Sequence, residues 1–464
     1  MPTTSHAQPD WVAEAIFYQI FPERFANGDP SNDPPGVAPW EDLPSRKNFF
    51  GGDLQGILER LDYLQELGAN ALYLNPIFDS PSNHKYDTRD YFTVDPAFGD
   101  KALLKELVDE LHRREMRVIL DGVFNHCGKQ FAPFQDLVLN GAASKYKDWF
   151  QVRAFPVTEK PLSYMTCGGA PFLPKFNHRN PEVRQFLLKV ARYWVEETGI
   201  DGWRLDVPFK VPFDFWRESR STLRAVRPDL YLVGEVWREP APWVSGGDIF
   251  DGVTNYALRD LLLDYAHTRF LDAEDFAFET GQLAARLGAA ESGMLNLLGS
   301  HDTPRILSLL RGDLALLRIL CTYLFTTPGA PLIYYGDEVG MLGENDPDCR
   351  RPMVWDSARW NPQVVEMYRQ LIDLRRAHPA LRRGVRRTLL TFNGVFAYKM
   401  SLEADEVIVI LNPREALLQV RLETGSRRAV WREAGSGREY LTSEGEIALE
   451  VVPARSALVL VPVG

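Results

Sequence analysis

From Ile16 to about Ala377 the chain alternates short β-rich apolar runs with longer amphipathic stretches. The apolar runs are IFYQIFP (16–22), ALYLNPI (71–77), RVILDGVF (117–124), GWRLDV (202–207), LYLVGEVW (230–237), IFDGVTNY (249–256), MLNLLGSH (294–301) and PLIYYGDE (331–338). Helical patterns such as LLKELVDELHRR (103–114) and VRQFLLKVARYWVEET (183–198) lie between most of them. Eight strands alternating with helices predict a (β/α)8 TIM barrel in preference to a doubly wound sheet. Right-handed crossovers then gather every strand's C-terminal end on one face, where the polar residues of these runs cluster.

Two segments break the rhythm. Residues 127–178 are irregular, rich in Gly, Pro and aromatic residues, and show no clear helix, which suggests a subdomain inserted over the barrel mouth. From about residue 381 the pattern turns to short alternating strands, TLLTFNG, VFAYKMSL, EVIVILN, LLQVRLE, EIALEVV and SALVLVPV. These predict a C-terminal antiparallel β-sandwich. The expected organisation is barrel 1–126, insertion 127–178, barrel 179–380 and sandwich 381–464, an α/β class chain of 464 residues.

A net charge of −11 argues against a nucleic-acid surface. No run is long and apolar enough to suggest a membrane span. The first residues, MPTTSHAQPDW, lack the basic and apolar regions of a signal peptide. Cys127, Cys167, Cys321 and Cys349 are far apart without metal-ligand spacing, and free thiols in a reducing compartment are expected. A cytoplasmic location follows, with a secreted mature form left open.

Four strands end in polar clusters: DGVFNH (Asp121 to His126), GWRLDV (Gly202 to Val207), GEVW (Gly234 to Trp237) and GSHD (Gly299 to Asp302). Any single Asp at a strand end can simply cap the next helix. Four such clusters opening into one cup are harder to explain as caps. Glycoside cleavage needs one carboxylic acid and one carboxylate flanking the scissile bond, and a separation of about 5–5.5 Å gives a covalent intermediate with retention. Asp206 and Glu235, on neighbouring strands, are candidates for that pair.

In order and position these clusters resemble the conserved regions of the α-amylase superfamily (glycoside hydrolase family 13), over nearly the whole chain. The resemblance implies Asp206 as nucleophile, Glu235 as general acid/base and Asp302 as transition-state stabiliser. The physics is compatible: Arg204 shares the strand face of Asp206 and favours its ionised form, while neighbouring carboxylates and Trp237 favour a protonated Glu235. His126 and His301 are similar to the family's pair around the sugar at subsite −1, with buried structural histidines as the alternative.

Within SNHKYDTRDYF, the resemblance has Tyr86 stacking on that sugar and His84 bonding its primary hydroxyl. Trp237 is placed to contact the leaving sugar. In ENDPDCRRPMVWD, Asp346 and Arg350 resemble a pair at the glycone end, or else form a surface ion pair. LPKFN (Leu173 to Asn177) is similar to the MPKLN signature of neopullulanases, cyclomaltodextrinases and maltogenic amylases. Those enzymes usually carry an N-terminal β domain that builds a dimer. Here the first barrel strand begins near residue 16, so a monomer, or a dimer not built on such a domain, is expected. Pro208, Phe209 and Lys210 also depart from the small or acidic residues usual near subsite +2.

FANGDPSND places Asn27, Asp29, Asn32 and Asp33 in one loop, and FFGGD adds Gly51 and Asp53. Mixed carboxylate, amide and backbone oxygens suit Ca2+, although such loops are also plain turns. The resemblance favours a structural calcium ion and no organic cofactor. The expected function is retaining hydrolysis of α-1,4-glucosidic bonds in α-glucans, namely maltooligosaccharides or cyclodextrins, with pullulan, some α-1,6 cleavage and transglycosylation within reach. The alternatives are an α-glucosidase, or a transferring or isomerising member of the superfamily. A non-catalytic glycan-binding chain would typically have lost one of the three carboxylates.

Overall fold

The computed structural model describes residues 8–463. Eight parallel strands form one sheet: β1 (Phe17–Ile20), β2 (Ala71–Leu74), β3 (Arg117–Gly122), β4 (Gly202–Leu205), β5 (Tyr231–Gly234), β6 (Gly252–Val253), β7 (Leu295–Leu297) and β8 (Ala330–Tyr334). Their order is β6-β5-β4-β3-β2-β1-β8-β7, and a parallel bridge between Thr254 and Leu295 brings β6 to β7. This is the expected barrel. Its strands are buried on both faces, as parallel strands beneath helices must be.

The period of two divides each strand between the barrel interior and the helix layer. Phe17, Ala71, Tyr73, Ile119, Tyr231, Val233, Leu295 and Leu332 pack into the interior cluster. Their neighbours Tyr18, Leu72, Val118, Leu120, Trp203 and Leu232 join the outer core beneath the helices. The same alternation points Asp121, Arg204, Asp206 and Glu235 inward.

The helices form where propensity, cap and apolar stripe agree. In α1 (Lys101–Arg113) the Asp100 side chain accepts from the Leu103 N–H, and Leu104, Leu107, Val108 and Leu111 are buried at helical spacing. In α2 (Pro181–Thr198) Asn180 caps a start with proline in the first turn, and Gly199, at φ 76°, ends it. Both predicted helical stretches lie where expected.

All eight strands stop short of the ends of their apolar runs. β6, β7 and β8 stop at Val253, Leu297 and Tyr334, because the residues that follow leave the ladder to line the mouth. The segment 127–178 corrects the reading of no helix: Ala132–Asn140 is helical and buries Phe134 and Leu137. Its proline and flanking glycines had obscured a pattern only nine residues long.

The C-terminal sheet is antiparallel and has eight strands, β9 (Val385–Phe392), β10 (Val395–Leu402), β11 (Asp405–Asn412), β12 (Leu417–Glu423), β13 (Val430–Glu433), β14 (Glu439–Ser443), β15 (Glu446–Val452) and β16 (Ser456–Pro462). Its two halves enclose Ile408, Ile410, Trp431, Ile447 and Leu460. β13 and β14 were not foreseen, because WREAGSGREY reads as a charged turn. Both earn their place through single inward aromatics, Trp431 and Tyr440.

Candidate active site

One guanidinium organises the mouth of the barrel. Arg204, buried on β4, sends Nη1 to Asp121 Oδ1 (2.8 Å) and Asp206 Oδ1 (2.9 Å), and its Nη2 lies 2.9 Å from Glu235 Oε1. A single positive charge therefore serves three carboxylates. Asp121, at the end of β3, is further held by the hydroxyls of Tyr73 and Tyr86, each 2.8 Å from Oδ2. Asp206 differs. Its Oδ1 is taken by Arg204, while its buried Oδ2 has no hydrogen-bond partner among the described residues.

Burial pushes the Asp206 carboxyl well above the usual carboxylate range; Arg204 opposes the shift, and the charges of Glu235, Asp121 and Asp302 add to it. The expected hold by Arg204 is present as a contact but is outweighed. Burial also raises Asp121.

Glu235 is gripped differently. Its Oε2 accepts the Val207 N–H (3.0 Å) and its Oε1 the Trp237 indole N–H (3.1 Å). Val207 follows Asp206 directly and sits at φ 44°, ψ 47°, in the left-handed region that a β-branched residue avoids. Such an outlier costs on the order of 1–3 kcal/mol and persists only when its surroundings enforce it. Here it turns the Val207 N–H onto Glu235. Trp237 is 38% exposed and stacks on Tyr256 with centroids 3.8 Å apart and planes 8° from parallel.

The opposite wall is built from histidines. His301 receives the Gln19 amide at Nδ1 (2.8 Å), which leaves Nε2 to carry the hydrogen toward the Tyr86 hydroxyl (2.7 Å) and Asp302 Oδ2 (3.0 Å). Burial holds it well below its ordinary pKa, so the ring is neutral. Burial likewise lowers His126 to about 4; its Nδ1 meets the Asn125 amide at 3.1 Å, and its Nε2 has no partner among the described residues. Tyr86 lies parallel to His301, with centroids 5.7 Å apart. His84 Nδ1 accepts the Tyr86 N–H at 3.1 Å.

Arg350 spans the last side. Its Nη2 meets Asp302 Oδ1 at 3.0 Å, its Nε donates to the His301 carbonyl at 2.8 Å, and its Nη1 pairs with Asp346 at 3.0 Å. The structure thus brings all eleven of the sequence-derived catalytic and substrate-binding residues around one mouth. Gln19, Tyr73, Asn75, Asp121 and Tyr256 belong to the same network. Gln19, Tyr73 and Asn75 had a signal: they are the polar-tipped positions of β1 and β2 and the residue following β2, at inward register.

LPKFN connects the insertion to this rim. Lys175 bridges His126 in β-fashion, and its Nζ donates to the Lys210 carbonyl at 2.7 Å. That bond and the Trp216 indole on Pro208 O (3.1 Å) hold the short turn carrying Phe209, which is 49% exposed.

The Asn/Asp loop lies apart from the mouth. Asp53 caps the helix Leu54–Glu59 and takes N–H groups from Gly28, Asp29 and Gly56 and the Asn32 amide, so its oxygens are already engaged. Asp29 Oδ1 is engaged by Ser31. Asn27 Nδ2 donates to Asp33 at 2.8 Å. The carbonyl oxygens Asn27 Oδ1 and Asn32 Oδ1 are buried with no partner among the described residues. Gly51, at φ 79°, closes over Asp33 and Asn27, where any Cβ would collide.

Residues 19–384 match the family model "Alpha amylase, catalytic domain". A cyclomaltodextrinase of Geobacillus thermopakistaniensis (strain MAS1) is 47% identical over 90% of this chain and 72% of its own. Neopullulanase 2 of Thermoactinomyces vulgaris is 45% identical over 96% and 77%. Among solved structures, the cyclic α-maltosyl-(1→6)-maltose hydrolase of Arthrobacter globiformis superposes with a TM-score of 0.90 at 42% identity, covering 98% of this chain and 99% of that one. The chain is a glycoside hydrolase and belongs to the α-amylase family.

Proposed function

We propose that the protein hydrolyses α-1,4-glucosidic bonds of maltooligosaccharides and cyclodextrins by double displacement with retention. The free Oδ2 of Asp206, beside a second carboxylate on the same guanidinium, carries this reading. Arg204 contacts both members of the pair, which suits the shorter carboxylate separation of retaining enzymes. Asp206 Oδ2 attacks the anomeric carbon while Glu235 gives its proton to the departing oxygen. Glu235 then takes a proton from water, which displaces Asp206. Asp302 opposes the positive charge of the oxocarbenium-like transition state. Neutral His126 donates from its unpartnered Nε2 to a sugar hydroxyl, neutral His301 lies beside the same sugar and holds Tyr86 and Asp302 toward it, Tyr86 offers an apolar ring face, Trp237 meets the leaving sugar, and His84, Asp346 and Arg350 border the glycone end.

The near full-length likeness to the Arthrobacter enzyme favours a second reading, in which a compact cyclic glucan with α-1,6 links is the preferred substrate. NMR of the first product from cyclodextrins, pullulan, maltotriose and the cyclic maltosyl-maltose decides both points. An α-anomer is expected. A β-anomer first overturns the mechanism, and cleavage of sucrose or isomaltose with cyclodextrins untouched overturns the substrate class.

We also propose that the Asn/Asp loop holds a structural calcium ion, because two buried amide oxygens there want a cation or donor. Among the described residues no cluster of three or more acidic, His or Cys side chains suits a metal. Asn27, Asn32, Asp33 and the Gly51 carbonyl would therefore supply the hard oxygens, with Asp29 and Asp53 shaping the loop. Chelation is expected to lower Tm by a few degrees, reversed by added Ca2+; a Tm indifferent to both overturns the site. The four free thiols suit a cytoplasmic location, and no helix among the described residues is long and apolar enough to cross a membrane.

A further inference from the structure

His84 and Tyr86 reach the mouth from one loop, residues 80–89, which joins the short antiparallel strands Phe78–Asp79 and Asp90–Val94. Lys85 stands between them at φ 62°, in the left-handed region that a long side chain adopts only when its surroundings enforce it. Its own side chain provides the enforcement. Buried to 2% exposure, it runs back to the neck of the loop, where Nζ donates to Asp95 Oδ2 at 2.7 Å and to the Ser80 carbonyl at 3.2 Å. Asp95 is itself fixed: Oδ2 accepts the Ser80 N–H and Oδ1 the Ala97 N–H, both at 3.0 Å. The ammonium lies 5.0 Å from the Phe98 ring centroid and 5.6 Å from that of Phe49. At the tip, the Lys85 N–H donates to Ser82 Oγ (3.1 Å), and that hydroxyl bonds Asp87. The residue that Lys85 precedes is a hub of the mouth. The Tyr86 hydroxyl donates to Asp121 Oδ2 (2.8 Å) and accepts from His301 Nε2 (2.7 Å) and Asn75 Nδ2 (3.1 Å).

We propose that Lys85 is a positioning residue of the glucan site: its buried ion pair with Asp95 clamps the left-handed turn that aims His84 and Tyr86 at the sugar. This rests on the reading of Tyr86 as a ring-face contact given above. Two observations separate Lys85 from an ordinary buried cation. Its strained backbone lies directly between two side chains of the mouth, and its ammonium ties the tip of their loop to the neck. A buried pair that served the fold alone could be exchanged for neutral side chains of similar size without loss of turnover. A clamp on Tyr86 could not. Slackening it moves the ring face and draws the hydroxyl away from Asp121 and His301. These contacts matter most as the sugar ring flattens toward the transition state, so the loss falls on kcat and not on KM.

The test compares two variants of the whole enzyme on maltotriose, with circular dichroism to count the folded fraction. Lys85→Met/Asp95→Asn removes both charges and leaves neither one buried alone. Lys85→Gly relieves the left-handed backbone but loses the clamp. Both are expected to lose roughly 10- to 100-fold in kcat per folded molecule, with KM changed by less than about threefold. Asp251→Asn, which breaks buried ion pairs away from the mouth, is the control and is expected to keep its kcat. Wild-type kcat in the double variant overturns the proposal. Wild-type kcat in Lys85→Gly assigns the position to backbone shape alone and overturns the clamp. A loss confined to KM, or one that Asp251→Asn matches per folded molecule, also overturns it. A wild-type enzyme inactive on every glucan would instead overturn the functional reading, so the two failures are distinguishable.

Discussion

Both ends of the barrel bury arginine against aspartate, with opposite stoichiometry. At the mouth one guanidinium, Arg204, faces Asp121, Asp206 and Glu235. At the base the carboxylates are outnumbered. Asp251 holds Arg220 and Arg224 and accepts the Leu232 N–H; Asp201 holds Arg117, Arg227 and His112 and accepts the Val118 N–H. The basal oxygens are satisfied several times over, whereas the mouth leaves Asp206 Oδ2 free and its carboxyl shifted upward. An excess of cations and donors tightens a fold. An excess of carboxylates stores a proton and an attacking oxygen, and it lowers stability.

Breaking the mouth should show the largest effect. Glu235→Gln or Asp206→Asn is expected to lower kcat by roughly 10^4-fold while the fold survives, as circular dichroism and steady-state kinetics would report. Next comes the base: Asp251→Asn removes the charge partner of buried Arg220 and half-buried Arg224 and is expected to cost ~3–5 kcal/mol in denaturant unfolding, with kcat per folded molecule unchanged. A tenfold loss of kcat there would erase the distinction.

The pH dependence sharpens the contrast. A carboxyl raised on folding adds stability at low pH, and this is lost as pH rises through its folded value. Asp206→Asn is therefore expected to raise Tm at neutral pH, not lower it. For activity the sign reverses: ionised Asp206 is the working form, so the acid limb of kcat/KM should lie well above the ordinary Asp value of about 3.9. An acid limb at or below that value would contradict the shift. The smallest effect concerns Val207. Val207→Gly releases the left-handed strain and is expected to gain about 1 kcal/mol of stability, with reduced kcat because the N–H is no longer fixed on Glu235.

The barrel and its carboxylates were legible because they are periodic and local: inward residues recur every second position, and the polar tips sit at strand ends. Arg204 beside Asp206 could be read for the same reason. The imbalance of charge could not, since it depends on Asp121 arriving from β3 and Glu235 from β5 at one guanidinium. The strained Val207 left no trace either, because valine is ordinary in an apolar strand and only its φ is unusual. The engaged oxygens of Asp53 were hidden by composition: an Asp that caps a helix and an Asp that holds a cation look alike in an Asn/Asp/Gly loop.

The most direct measurement is trapping on Glu235→Gln with an α-maltosyl fluoride, whose leaving group needs no acid. Mass spectrometry of the digest is predicted to find a maltosyl adduct on the peptide carrying Asp206, absent in Asp206→Asn. An adduct elsewhere, or fluoride release giving the β-anomer with no adduct at any time, would contradict Asp206 as the nucleophile.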